Sequence, residues 1–369
     1  MKILFFIDSL QAGGKERRLT ELLKVLTLKP DIECALILMN RDIHYKEVLG
    51  LDINIYYLIR KTRKDFSIFN RFYKICKEYK PDIIHAWNSM TVLYSIPASI
   101  LFKIKLINGM VVNAPLHRNI FDTNWIRAKI TFPFCNLIIA NSKAGLQAYP
   151  SALTKSRVIY NGYNFKRNEQ VMSKEIIREQ LNISTAFVII MVASFSKAKD
   201  YKTFFHAANI VLQKRDDITF LAVGQDTDSL SCQQLATSFL EKRQFRLLGK
   251  KSNVEPYVNA ADICILATFS EGISNSIMEY MAFGKPVIAS RGGGTAEIVE
   301  DKITGFLISI GDAKALADKI EFLLNNEHLR QQMGNLGQVR IQTFFSIDRM
   351  ANKYLSSYRN ILKKELREK

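Results

Sequence analysis

The chain has 369 residues, 48% of them hydrophobic, and a formal net charge of +17; this exceeds what one core usually supports and supplies enough apolar material for two domains. No apolar run reaches the ~18 residues that a membrane-spanning helix needs, and the longest, Thr91 to Ile104, is interrupted by Pro97. Five cysteines, Cys34, Cys76, Cys135, Cys232 and Cys264, are scattered and never in C-x-x-C spacing, which speaks against a zinc site and for a reducing, cytoplasmic compartment.

Met1 to Asp8 reads as a buried strand, since no small-residue cleavage site follows that would mark a signal peptide. Gly13-Gly14 come next and open a helix, where backbone amides can approach an anion, although a plain tight turn explains two glycines equally well. Strands are predicted at 2–7, 33–39, 53–58, 82–86, 105–108, 136–140 and 156–160, then at 187–193, 218–223, 245–248, 262–266, 286–289 and 305–308. Amphipathic helical segments alternate with them, the pattern of a parallel α/β sheet. The polar stretch 162–185 separates the two sets and is read as a linker. Tandem sheets of this kind are expected to face each other across a cleft at the carboxyl ends of their strands. His85 sits at the end of the fourth strand, toward that cleft, with a structural and a functional role equally open. The tail from Ser346 to Lys369 reads as a helix rich in Tyr, Leu and Lys.

Charge is unevenly spread. Residues 1–165 hold 24 Lys and Arg against 12 Asp and Glu, while 166–369 hold 28 against 23. A basic first half draws an anionic partner. No nucleic-acid-binding signature accompanies it, so nucleic acid is not expected; an anionic membrane surface fits better. Basic and large apolar residues alternate from Arg60 to Lys74 and from Trp125 to Phe132, as in interfacial helices. The alternative is that Phe66, Phe69, Phe72 and Tyr73 face the core at helical spacing.

The densest pattern runs from Glu271 through Gly272, Ile273, Ser274, Asn275, Ser276, Ile277 and Met278 to Glu279, between predicted strands. One carboxylate precedes a helix and another lies inside it. The helix start offers backbone amides and a positive dipole end to a diphosphate, and Glu279 would accept hydrogen bonds from a ribose diol. Ser276 to Glu279 also reads as a capping box, in which Glu279 serves only its own helix. Asp226-Thr227-Asp228 looks like a D-x-D metal motif, but it follows a strand and Gly224, where turn-forming aspartates are the better account.

The two glutamates within E-G-x-x-N-S-x-x-E-x-M-A-x-G-x-P-V-x-A resemble the E-x₇-E signature of glycosyltransferase family 4, the group 1 glycosyltransferases. Gly13 to Arg17, Ile139 to Ser142, Val158 to Gly162, Lys199-Asp200, Ala260 to Asp262 and Gly292 to Gly294 extend the resemblance over nearly the whole chain. It implies the GT-B fold, with two Rossmann-like domains, here residues 1–165 for the acceptor and 166–345 for a nucleotide sugar. The helix 346–369 would cross back to the first domain. It further implies retaining transfer of a hexose or N-acetylhexosamine from a UDP-sugar to a glycan or lipid-linked acceptor in cell-surface polysaccharide or lipopolysaccharide assembly. The enzyme would sit at the inner face of the cell membrane and need no cofactor or essential metal.

By the same resemblance Lys199 contacts the diphosphate, Glu271 binds the transferred sugar near the amides of Gly272 to Asn275, and Glu279 holds the ribose. Gly13 and Gly14 close over the diphosphate, and Arg246 to Lys251 line the base pocket. The chain departs from the family at Ser194, where an arginine is usual; Lys197 or Arg291 is the candidate substitute. The family histidine near the reacting carbon is missing from Asn108 to Pro115, leaving Asn113 or His117 to stand in. Two other functions suit the architecture, a nucleotide-sugar epimerase and a non-catalytic partner that binds sugar nucleotides.

Overall fold

A computed structural model describes all residues except 12, 63, 112–122, 150–154, 170, 240–243 and 368–369. The chain divides into two compact units, Met1–Gly162 with Ile347–Lys369, and Tyr163–Ser346.

The first unit carries β1 (Lys2–Ile7), α1 (Gly14–Leu26), β2 (Glu33–Leu38), β3 (Asn54–Tyr57), α2 (Ser67–Tyr79), β4 (Ile83–Ala86), α3 (Ser89–Leu101), β5 (Lys105–Val111), α4 (Thr123–Thr131), β6 (Leu137–Ala140), α5 (Lys143–Gln147) and β7 (Ser156–Val158). Its sheet is parallel, in the order β3-β2-β1-β4-β5-β6-β7. Alternation along each strand feeds two cores. Leu4, Phe6, Ile84 and Ala86 pack toward Phe72 of α2 and Val92 of α3, whereas Ile3, Phe5, Ile83 and Trp87 pack toward Leu19 and Leu22 of α1.

The second unit carries α6 (Lys174–Gln180), β8 (Phe187–Val192), α7 (Tyr201–Leu212), β9 (Ile218–Val223), α8 (Leu230–Thr237), β10 (Phe245–Leu247), α9 (Glu255–Ala260), β11 (Ile263–Leu266), α10 (Asn275–Ala282), β12 (Val287–Ser290), α11 (Thr295–Ile298), β13 (Gly305–Ile308), α12 (Ala313–Leu324) and α13 (Glu327–Phe344). Its sheet, also parallel, runs β10-β9-β8-β11-β12-β13. β9 and β11 are buried along their whole length, which explains their unbroken apolar sequences, since a parallel sheet is covered on both faces. The order reverses between β8 and β11, creating a crevice at their carboxyl ends where ligands of open α/β sheets bind.

Residues 163–185, read from sequence as a linker, are built into this second unit. Tyr163 donates its N–H to the Phe345 carbonyl at 2.7 Å, and α6 is tied to Asp262 at the start of β11 through Lys174 at 2.7 Å and Arg178 at 2.6 Å. The last helix, α14 (Ile347–Arg367), returns to the first unit, where Met350, Ala351, Tyr354, Leu355 and Tyr358 join the core that includes α1.

Candidate active site

Lys199 follows β8 and Glu271 follows β11, so each leaves the sheet on one side of the crevice. The loops that carry them are laced together: Asp200 N–H donates to Ala267 O, and Phe269 N–H to Ala198 O, both at 3.0 Å. The Thr268 hydroxyl donates to Ala198 O at 2.9 Å. This lacing brings the Lys199 ammonium onto the Glu271 carboxylate in a partly buried ion pair. A cation and a carboxylate 72 positions apart in the chain thus meet at the switch point of the sheet.

α10 starts beside them. Its first helical residue is Asn275, and Ser274 caps it by accepting from the Ile277 N–H at 3.4 Å. Ser276 is not a cap; its hydroxyl donates to Val192 O at 2.7 Å, which excludes the capping-box reading of Ser276 and Glu279. The first turn holds no acidic residue, so no carboxylate within it competes with an anion for the positive dipole end. Gly272 and Ile273 form the buried bend leading in. Tyr280 fixes the helix to the sheet, accepting from Val192 N–H at 2.6 Å and donating to Ile265 O at 3.2 Å.

Glu279 lies one turn further on and is buried. Its carboxylate accepts from Arg167 Nη2 at 2.9 Å, and the same guanidinium also contacts Glu255. Burial opposes the charge on Arg167, but Glu279 and Glu255 outweigh it and hold its pKa above the ordinary arginine value. Neither Arg167 nor Glu255 stands out in the sequence, because each reaches Glu279 only through the tertiary fold.

Lys197 is exposed and lines a cavity of about 530 Å³ with Lys199, Lys202 and Phe269. Arg291 points elsewhere, into an ion pair with Asp301 at 2.7 Å. The Ser194 hydroxyl donates to the Ser196 hydroxyl at 3.4 Å. The Arg246 guanidinium donates to the carbonyls of Leu181 at 2.7 Å and Asn182 at 3.1 Å. Asp226 adopts a left-handed backbone, φ 62°, in a turn closed by Ser229 donating to its carbonyl at 2.7 Å, as befits turn-forming aspartates.

In the first unit, Gly14 opens α1 behind Gly13, whose carbonyl accepts from the Tyr45 hydroxyl at 3.0 Å. Gly13 is extended, with φ −173°, a conformation open to any residue, so its backbone angle does not demand glycine. His85 does not face a ligand. It is fully buried, with Nδ1 2.8 Å from the Tyr358 hydroxyl and its ring among Phe5, Trp87, Tyr354 and Tyr358. Strand alternation places it on the face of β4 that α14 covers. Burial, and then the Arg18 guanidinium, push its pKa well below the ordinary imidazole value, so it is neutral. Asn113 and His117 lie outside the described residues.

The family model for glycosyl transferases group 1 matches residues 173–340, and that for Glycosyltransferase Family 4 matches residues 12–167. The N,N'-diacetylbacillosaminyl-diphospho-undecaprenol alpha-1,3-N-acetylgalactosaminyltransferase of Campylobacter jejuni is 26% identical over 85% of this chain and 87% of its own length. The N-acetyl-alpha-D-glucosaminyl L-malate synthase of Bacillus anthracis is 23% identical over 87% of this chain and 85% of its own. Among solved structures, Anabaena HepE in complex with UDP superposes with a TM-score of 0.83 at 22% identity, covering 98% of this chain and 100% of that one. A glycosyltransferase from Rickettsia africae gives 0.84 at 22% identity, covering 98% of each.

Proposed function

The chain belongs to the group 1 glycosyltransferases and has the GT-B fold, and from that membership we propose that it moves a hexose or N-acetylhexosamine from a UDP-sugar to a glycan or lipid-linked acceptor with retention of configuration. The observation that carries this reading is the meeting of Lys199 and Glu271 at the β8/β11 crevice beside the start of α10. Supporting it, HepE has been crystallised with UDP-glucose, and the Campylobacter relative is named for a diphospho-undecaprenol acceptor. Epimerisation needs no acceptor, and the group 1 match favours transfer over it.

The chemistry follows from charge. The bond from the anomeric carbon to the diphosphate oxygen breaks and its electron pair leaves with UDP. The acceptor oxygen attacks from the same face, and its proton passes to the departing phosphate. Lys199 and the start of α10 stabilise the charge that grows on the diphosphate, while Glu271 accepts from hydroxyls of the sugar and Glu279 from the ribose. Lys197 takes the part of the missing arginine, since it shares the Lys199 cavity and Arg291 is engaged by Asp301. A panel of UDP- and GDP-sugars, with the product's anomeric coupling read by NMR, tests the scheme. The expected product keeps the donor's configuration, and an inverted anomer would sink the retaining mechanism.

The anionic membrane contact is assigned to α4. On α2, Phe72 is buried and Phe69 and Tyr73 are packed against Tyr94 and Phe102, so these three side chains are spent on the core, whereas Phe66, at the helix start, is exposed rather than core-facing. α4 leaves Ile126 and Ile130 exposed one turn apart, with Phe134 exposed just beyond and the cations Arg127 and Lys129 between them. No helix among the described residues is long and apolar enough to cross a membrane. Co-sedimentation with anionic vesicles is expected to fall severalfold in Ile126→Glu/Ile130→Glu; undiminished binding would move the contact elsewhere.

A further inference from the structure

Three lysines, Lys197, Lys199 and Lys202, line the cavity of about 530 Å³ beside the β8–α7 loop. Their surroundings differ. The Lys199 ammonium is held on Glu271, whereas Lys197 and Lys202 are exposed, and neither ammonium has an ion-pair or hydrogen-bond partner among the described residues. The two carboxylates on the cavity leave both lysines unpaired. Asp200 is turned into its own helix start, where it accepts from the Thr203 N–H at 3.1 Å and from the Thr203 hydroxyl at 2.6 Å; Asp226 stands in the turn before α8. Lys202 also opposes its own helix. It lies in the first turn of α7, which beyond the Asp200 cap holds no acidic residue, and there the macrodipole disfavours a cation. An unpaired cation set against its helix dipole, on a cavity that two other lysines share, is a local cost of the kind that functional sites carry.

From this arrangement we infer that Lys202 is a further donor-binding residue, whose ammonium contacts the diphosphate of the nucleotide sugar from the α7 side. The inference rests on the reading that Lys199 binds that diphosphate. The diphosphate is already anionic in the donor and gains a further charge as the bond to the sugar breaks. Against it, the charge of Lys199 is shared with Glu271, and Ser194 brings only a neutral hydroxyl to the loop. Lys197 from the loop and Lys202 from the helix start supply the balance. An ammonium is a point charge on a flexible four-carbon stem, so Lys202 meets the anion without a shift of α7. The bound anion in turn compensates both the lysine and the positive end of the helix, which removes the conflict present in the unliganded chain.

The test is the affinity for UDP, measured by titration calorimetry on the full chain and on Lys202→Gln, Lys202→Arg, Lys214→Gln and Lys199→Gln. Uridine, which lacks the diphosphate, is the comparison ligand, followed by ligand-observed NMR. Lys202→Gln is expected to weaken UDP binding by about 3- to 10-fold, the worth of one ordinary hydrogen bond, and to leave uridine binding unchanged. The loss should shrink as salt is raised, because the lysine is exposed, and Lys202→Arg should keep the parent affinity. Lys214, just past the other end of α7, is paired with Glu321 at 2.8 Å and lies about 18 Å away along the helix, beyond the screening length of ordinary buffers; Lys214→Gln should bind UDP as the parent does. The melting temperature of unliganded Lys202→Gln should stay level or rise, since the conflict with the dipole is gone. A structural lysine predicts instead a lower melting temperature with equal losses for UDP and uridine, and a general field effect predicts an equal loss in Lys214→Gln; either result, or undiminished UDP affinity in Lys202→Gln, would overturn the inference. If Lys199→Gln leaves UDP affinity unchanged, the diphosphate reading itself fails; if Lys199→Gln weakens binding and Lys202→Gln does not, only the role of Lys202 falls.

Discussion

At the scale of single residues, His85 makes the cleanest claim on pH. The folded chain keeps it neutral by burial and by the nearby Arg18 charge, below the 6.5 of a free imidazole, whereas the unfolded chain protonates it normally. The unfolded state therefore binds the extra proton below about pH 6.5, so the contribution of His85 to stability is constant above that pH and falls as pH drops beneath it, by about 1.4 kcal/mol per pH unit. Chemical denaturation from pH 7.5 to 5 should show this slope, and His85→Asn should remove it. The residue scale is also where the sequence was read most unevenly. Glu271 and Glu279 stand out by their placement about a helix start and by the family signature they resemble, whereas Lys199 stands out by that resemblance alone. His85, also at a strand end, was equally open to a structural and a functional role, because only the docking of α14 decides between them. Arg167 lies 112 positions from Glu279, and no local pattern could have joined them.

At the scale of elements, α10 is held against α13 by an absence of side chain. A Cβ at Gly334 would meet the carbonyl oxygen of Gly284, and Gly284 itself ends α10 in a left-handed conformation, φ 64°, that favours glycine. Gly334→Ala should therefore push the two helices apart and cost about 1–3 kcal/mol, measurable as a lower denaturation midpoint. Each strand read from the sequence is present, several with the same ends, since a run buried on both faces, such as Ile218–Val223, has little else to be. Helix starts were harder. Ser274 and Ser276 both have the chemistry of a cap, and the two-residue difference decides whether Glu279 is a capping group or a side chain one turn inside the helix. The cap bond that Ser274 accepts from the Ile277 N–H and the hydrogen bond from Ser276 to Val192 separate them.

At the scale of the whole molecule, the chain leaves its first unit at Gly162 and comes back to it at Ile347, so that unit's core is completed by a helix distant from it in sequence. Loss of Met350, Tyr354, Leu355 and Tyr358, at about 1.5–3 kcal/mol for each large side chain, approaches the whole stability of a typical domain. Deletion of residues 347–369 should accordingly leave a protease-resistant core spanning 163–346 and a digested first unit; resistance of both would contradict this. Two α/β sets were legible from the alternation of strands and helices. The return of α14 was implied by resemblance alone, because an amphipathic tail does not say which face it will cover. In the proposed function Glu271 and Lys199 form the centre of a glycosyl transfer site. Its most direct test is the UDP released from UDP-sugars in the presence of a lipid extract, comparing the unaltered chain with Glu271→Gln. Acceptor-dependent release is expected to fall by about 10²–10³-fold in the variant; release undiminished in Glu271→Gln would remove Glu271 from the site.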